Sequence, residues 1–173
     1  MMKRVENRAK KNIEKIVATA MKYDMSDVME RYAEKTRLPP DVLKEHEREI
    51  KRFLALSAAN PGRYGMRGPL DELWHTFIIF TSSYARFCQL LGGGFIHHLP
   101  ETPKSKSGSG PKKHNLYANF LEDYKKVFKE TPPAQLWPRR VGGGVEDPSC
   151  DQCGIFCSET CAAIELMPTG NRY

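Results

Sequence analysis

The sequence lacks the features that mark most membrane, fibrous and secreted proteins. Hydrophobic residues make up 40% of its 173 positions, and no apolar run approaches the roughly 18 residues of a membrane span. The basic N-terminus is followed by a mixed helical pattern, without an apolar stretch and a small-residue cleavage site, so we expect no secretory signal. These absences exclude the transmembrane and collagenous classes and predict a cytoplasmic protein.

The sequence also has no strand pattern, no long internal repeat and no phosphate-binding loop. Its two GGG triplets, which begin at Gly92 and Gly142, neither follow a strand nor have a nucleotide-binding spacing. The net charge of +6 favours acidic partners, nucleic acid among them, but identifies no reaction. The placement of cysteine and histidine therefore carries the functional analysis.

Apolar residues recur at helical spacing through most of the first 128 positions, which predicts an all-α fold, a compact bundle of about five helices. Asp24 or Ser26 can cap the second helix, and the prolines at 39 and 40 separate it from the third. The predicted helices span 5–22, 26–38, 40–54, the long apolar stretch 69–91 and 116–128.

Composition divides the chain into a helical domain, residues 1–140, and a Cys-rich metal-binding tail, residues 141–173. Within the domain, residues 101–114 are rich in Ser, Gly, Pro and Lys, which predicts a mobile surface loop. The stretch 131–148, which contains four prolines and a GGG triplet, is typical of a linker.

The tail carries four of the five cysteines in the spacing CxxCxxxCxxxC: Cys150, Cys153, Cys157 and Cys161. Thiolates in a reducing compartment more often bind metal than form disulfides, so we expect zinc, with an iron–sulfur cluster as the alternative. On an unbroken helix Cys153 and Cys161 would lie about 12 Å apart along the axis, too far for one zinc ion. The helix must then break, or fewer than four cysteines bind; disulfides and free thiols stay open.

A second group of candidate ligands begins on the long apolar helix. Asp71 and His75 stand at i and i+4 and so share a face, the arrangement by which a helix offers two ligands to one ion. The apolar stripe of this helix points away from His75, which places the pair on the polar flank. A surface ion pair is the alternative, and Asp71 also interacts favourably with the helix dipole.

Two further histidines, His97 and His98, follow the first glycine triplet. In an extended segment adjacent side chains point in opposite directions, so at most one of them faces inward and is a candidate ligand. The reach of the chain makes contact with the Tyr84–Cys88 end of the helix easier than contact with His75. Cys88, on the apolar face, is predicted to be a small buried hydrophobic residue.

The run DELWHTFIIFTSSYARFCQLLGGGFIHHLP resembles the signature of bacterial glycine-rich domain-containing proteins, DxxWHxFI, TxxYxxFC and GxFIHHxP. The resemblance implies a helical domain in which Asp71, Trp74, His75 and the His97–His98 pair matter together, and it supplies no activity. It favours a common polar site of Asp71, His75 and one of the two adjacent histidines. We expect His75 and His98 to be the ligands, with Asp71 either a third ligand or the acceptor that orients the His75 ring. Such a site requires that the central helix be shorter, or bent near residues 81–83, or bridged by a neighbouring helix.

Two classes of function fit these patterns. In the first, Asp71, His75, His97 and His98 supply ligands for a divalent ion, zinc or iron, and the tail binds a structural zinc; with open positions the site could activate water or oxygen, as in a metalloenzyme. In the alternative, the protein is a non-enzymatic binding module with a zinc-knuckle tail and a basic surface for nucleic acid or protein.

Overall fold

The computed structural model describes residues 2–92, 94–98, 114–138 and 161–162, with side chains in 12–92, 94–98 and 116–138. These residues form an all-α fold, as predicted. Its helices are α1 (Met2–Met21), α2 (Ser26–Thr36), α3 (Pro40–Ala59), α4 (Leu70–Ile79), α5 (Thr81–Leu91) and α6 (His114–Phe128). None of these helices combines the length and the apolar character that crossing a membrane requires.

Two short strands accompany the helices: β1 (Gly65–Met66) pairs antiparallel with β2 (Cys161–Ala162), with Met66 opposite Cys161. The sequence pattern did not predict them, because two residues are too few to show an alternation. The mobile-loop prediction for 101–114 falls almost entirely outside the described residues. The predictions for the tail lie there too, apart from the backbone of β2.

Local sequence sets the boundaries of α2 and α3. The Asp24 carboxylate accepts the backbone N–H of Ser26 at 2.9 Å, which satisfies one donor at the start of α2. Arg37 ends this helix in the left-handed conformation, with φ of 54°, and its N–H bonds to Ala33 O. Pro40 then occupies the first position of α3, where its missing N–H costs nothing.

The prediction of one continuous helix over 69–91 is wrong, because the chain breaks at Phe80. Phe80 has φ of −78° and ψ of 62°, which are not helical angles. Helix α4 therefore ends at Ile79, and α5 starts at Thr81. The break is the bend that a shared polar site requires near residues 81–83. Three residues after the break, the Ser83 carbonyl accepts a hydrogen bond from Tyr23 Oη at 2.8 Å, so a distant part of the chain fixes the start of α5.

The core is centred on α3 and is rich in aromatic rings. The Phe53 ring packs edge-on to Trp74 and Phe120 and is stacked on Trp137, with centroids 5.1–5.8 Å apart. Burying such large rings, with edge-to-face contacts between them, stabilises the fold. The buried hydrophobic residues that α4 and α5 contribute to the core are Leu70, Leu73, Trp74, Phe77, Tyr84, Phe87, Cys88 and Leu91.

The linker prediction fails for residues 131–138, which close the core. Trp137 is fully buried, and its indole N–H donates to the Glu49 carboxylate at 2.8 Å. Gly68, just before α4, has φ of +95°, and a Cβ there would lie 2.7 Å from the Leu136 carbonyl oxygen. The start of α4 is therefore fixed against this segment, in which prolines and one tryptophan replace helical periodicity.

Candidate metal centre

The candidate metal centre starts with Asp71 and His75 in the first two turns of α4. Their spacing puts both side chains on one face, and His75 Nδ1 lies 3.3 Å from Asp71 Oδ2. The His75 side chain is 48% exposed and that of Asp71 is 30% exposed. The pair therefore lies at the surface with one side open to solvent, while the buried face of α4 packs on the core.

His98 approaches the same carboxylate from the segment that follows α5. Its Nε2 atom lies 2.9 Å from Asp71 Oδ1, and its side chain is only 5% exposed. Because a carboxylate only accepts, Nε2 carries the proton in this contact. The His98 ring packs edge-on to Trp74, with centroids 4.4 Å apart, and lies 4.3 Å from the His75 ring.

Asp71, His75 and His98 each offer one ligand atom, and these atoms lie within 4.8 Å of one another. Ligands about 2.1 Å from a shared tetrahedral zinc ion would be roughly 3.4 Å apart. The two contacts of Asp71, 2.9 and 3.3 Å, are close to that spacing. The group can therefore hold a metal ion with small side-chain adjustments.

The donor set limits the ions that would fit. Two imidazoles and one carboxylate suit zinc and iron(II), whereas magnesium and calcium prefer oxygen ligands. Three protein ligands leave positions for water or another small molecule, as catalytic sites do and closed structural sites do not. The exposure of His75 puts any such open position on the solvent side.

His97 does not join this group, although it is adjacent to His98. Its ring contacts that of Phe95, with centroids 4.9 Å apart. Its Nε2 atom is buried and has no hydrogen-bond partner among the described residues. The structure thus brings one histidine of the pair to Asp71, in keeping with the alternation of side chains in an extended segment.

The length of the chain after α5 predicted contact with the Tyr84–Cys88 end of the helix more readily than with His75, and this prediction is half right. The segment does run past the Tyr84–Cys88 end of α5, where the Phe95 ring packs edge-on to Tyr84 with centroids 5.2 Å apart. It then continues to α4, because the break at Phe80 brings the two helices side by side and shortens the path to His75. On a straight helix His75 would lie about 24 Å from Leu91, which is close to the full extended reach of the seven residues that lead to His98.

Cys88 is buried next to this segment, as predicted, and is a free cysteine. Burial raises the pKa of its thiol, although a backbone hydrogen bond from Ile96 and contact with the Tyr84 hydroxyl lower it in part. A protonated thiol is a poor metal ligand. Cys88 therefore contributes packing here.

The tail cysteines are only partly within the described residues. Cys150, Cys153 and Cys157 lie outside them, and only the backbone of Cys161 is described, as a strand residue opposite Met66. Their binding of zinc, or of an iron–sulfur cluster, stays a prediction.

Sequence reasoning missed two consecutive hydrogen bonds beside the candidate metal centre. Trp74 Nε1 donates to Tyr84 Oη at 3.0 Å, and Tyr84 Oη donates to the Ile96 carbonyl at 2.5 Å. The helical spacing puts Trp74 and Tyr84 on the apolar stripe of the predicted helix, which indicates packing and no polar contact. A signal was available, because a buried tyrosine hydroxyl or indole N–H requires a partner.

No curated protein and no solved structure matches this chain. Residues 14–115, more than half of the sequence, match the UCP032817-like family. The matched range contains Asp71, His75 and His98 together with the break between α4 and α5. The name of this family carries no activity or ligand. On this match, the chain belongs to the UCP032817-like family.

Proposed function

We propose that this protein binds a divalent transition-metal ion, zinc or iron(II), through Asp71, His75 and His98. The carrying observation is the convergence of the three ligand atoms within 4.8 Å, from two parts of the chain that are 23 or more residues apart. The resemblance to glycine-rich domain-containing proteins supports the same grouping of residues.

The position of the group supports a role in chemistry more than a closed structural site. His98 is buried and held on the protein side, whereas His75 faces solvent. Sites with three such ligands activate water when they hold zinc, and two histidines with one carboxylate are the ligands of many iron(II) oxygenases. The metal centre is therefore proposed as the place where any reaction of this protein occurs.

We also propose that the tail binds a second, structural zinc ion through Cys150, Cys153, Cys157 and Cys161. The support is the density of soft ligands, four cysteines within twelve positions. An iron–sulfur cluster is the alternative occupant, and a chemical assay for acid-labile sulfide separates the two.

The alternative function, a binding module for nucleic acid or protein, has less support. Its basis is the net charge of +6. Stacking on exposed aromatic rings contributes much of the affinity of single-stranded nucleic-acid binders. Among the large hydrophobic side chains of the described residues, Phe95 is the only exposed aromatic one, at 39% exposure.

Metal counting on untagged protein tests the proposal. To separate the two sites, the full chain would carry Cys150→Ser and Cys153→Ser, which should leave about one equivalent of metal. Asp71→Asn and His98→Ala should each remove most of it. Glu72→Gln is the matched control, because this neighbouring carboxylate pairs with Lys35 and is outside the group.

The alternative is that Asp71 and the histidines only form hydrogen bonds that fix α4 to residues 95–98. Retention of a full equivalent of metal by both Asp71→Asn and His98→Ala would establish this alternative. Loss of metal from Glu72→Gln to the same extent would show that binding depends on surface charge and not on these ligands.

A further inference from the structure

The segment that carries His98 belongs to neither a helix nor a strand, so something else must hold it in place. One anchor is the carbonyl of Ile96, which accepts the Tyr84 hydroxyl at 2.5 Å, and Ile96 is fully buried. In an extended segment, residues i and i+2 face the same side. Fixing Ile96 therefore fixes the side from which His98 approaches α4.

The donors and acceptors of this anchor can be arranged in only one way. An indole N–H can only donate and a carbonyl can only accept, so Trp74 donates to Tyr84 and Tyr84 donates to Ile96. Burial is the main factor that raises the pKa of Tyr84, so its hydroxyl stays protonated and remains a donor.

Trp74 also contacts the ligand itself. Its ring packs edge-on to the His98 ring, with centroids 4.4 Å apart, while its N–H is committed to Tyr84. Trp74 lies one position before His75 and is 3% exposed. The same indole therefore restrains the backbone position of Ile96, through Tyr84, and the rotation of the His98 ring, through direct contact.

We propose that Tyr84, held by Trp74, is a positioning residue that presents His98 to the metal ion bound with Asp71 and His75. The inference rests on the proposed function above. Tyr84 is not one of the three candidate ligands. It acts on the position of His98 through its hydrogen bond to the Ile96 carbonyl. Groups that orient a metal-bound imidazole typically contribute 10- to 100-fold to affinity, so roughly tenfold is expected for this less direct contact.

The test compares Tyr84→Phe with Tyr64→Phe in the full chain carrying Cys150→Ser and Cys153→Ser. Both tyrosines are buried and both donate one hydroxyl hydrogen bond, Tyr64 to the Asp123 carboxylate at 2.9 Å. Each variant should lower the free energy of unfolding of the metal-free protein. Only Tyr84→Phe should weaken Co²⁺ binding, by roughly tenfold, and change the visible spectrum of bound Co²⁺.

A Co²⁺ dissociation constant for Tyr84→Phe within about twofold of the parent value would overturn the inference, since an orienting group should contribute 10-fold or more. An equal loss of affinity in Tyr64→Phe would also overturn it, because the effect would then follow from stability alone. If Tyr84→Phe does not fold, Trp74→Phe replaces it, with the same expected result and the same criteria.

A measurement on metal-free protein separates this inference from the proposed function. If the parent protein binds no Co²⁺, the proposed metal site is wrong, and the nuclear magnetic resonance signal of the His98 Nε2 proton, bonded to Asp71, decides the positioning role. The signal should be present in the parent and in Tyr64→Phe and lost in Tyr84→Phe. Its persistence in Tyr84→Phe would show that Tyr84 does not position His98.

Discussion

Replacing His75 with alanine separates metal binding from structural support. In the metal-free protein the His75 ring is half exposed, and its Nδ1 atom lies 3.3 Å from the Asp71 carboxylate. An exposed ion pair of this kind stabilises a protein by about 0–1 kcal/mol. Alanine also favours the helix by roughly 0.5 kcal/mol relative to histidine. The free energy of unfolding of the metal-free protein should therefore change by less than about 1 kcal/mol.

The same change should abolish most of the stabilisation that metal provides. Zinc at a free concentration of 100 times its dissociation constant should stabilise the parent protein by about 2.7 kcal/mol, since it binds the folded state alone. With one of three ligands removed, the affinity falls and this increment should be largely lost. His98→Ala offers the contrast, because it removes a side chain that is only 5% exposed together with its 2.9 Å hydrogen bond to the Asp71 carboxylate. Without metal this change should cost about 1–3 kcal/mol.

The assay is urea denaturation of untagged protein, with Cys150→Ser and Cys153→Ser in place, at buffered zinc concentrations and with a chelator. The reasoning is refuted if His75→Ala destabilises the metal-free protein by as much as His98→Ala and keeps the full zinc-dependent increment. That outcome would mean that His75 supports the fold and that the ion, if bound, is held elsewhere.

Three further predictions concern the rest of the chain. Gly68→Ala should lower the free energy of unfolding by roughly 1–3 kcal/mol, because φ is +95° and the added Cβ would meet the Leu136 carbonyl. An unchanged urea midpoint would contradict this close approach. Cys150→Ser with Cys153→Ser should remove about one zinc equivalent without reducing helix content by circular dichroism; four disulfide-bonded sulfurs after reducing purification would contradict it. Burial lowers the pKa of His46, against a smaller raising effect of Glu45, so the unfolded state binds the proton more tightly. Stability should therefore fall as pH drops below about 6.5, and less steeply in His46→Gln.

Sequence reasoning succeeded where the determinants are local. The proline pair and the glycine triplet act over a few residues, and the start of α3 and the end of α5 lie where these signals predict. The end of α2 lies two residues before the predicted position 38, since Arg37 adopts the left-handed conformation. It failed for residues 131–138, because Trp137 is held by Glu49, which is 88 positions away. A segment that joins the core through one tryptophan shows no periodicity that could distinguish it from a linker.

The break at Phe80 shows the same limit at the candidate metal centre. Threonine and serine at 81–83 weaken a helix only slightly, so the apolar periodicity on both sides predicts one helix. The contact that accompanies the break is distant, since Tyr23 Oη bonds to the Ser83 carbonyl at 2.8 Å across 60 positions. Asp71 and His75 could be paired from their spacing alone, whereas the approach of His98 to Asp71 accompanies this bend, which the local sequence does not predict. The sequence therefore predicts the residue types of the centre, and tertiary contacts determine which of them meet.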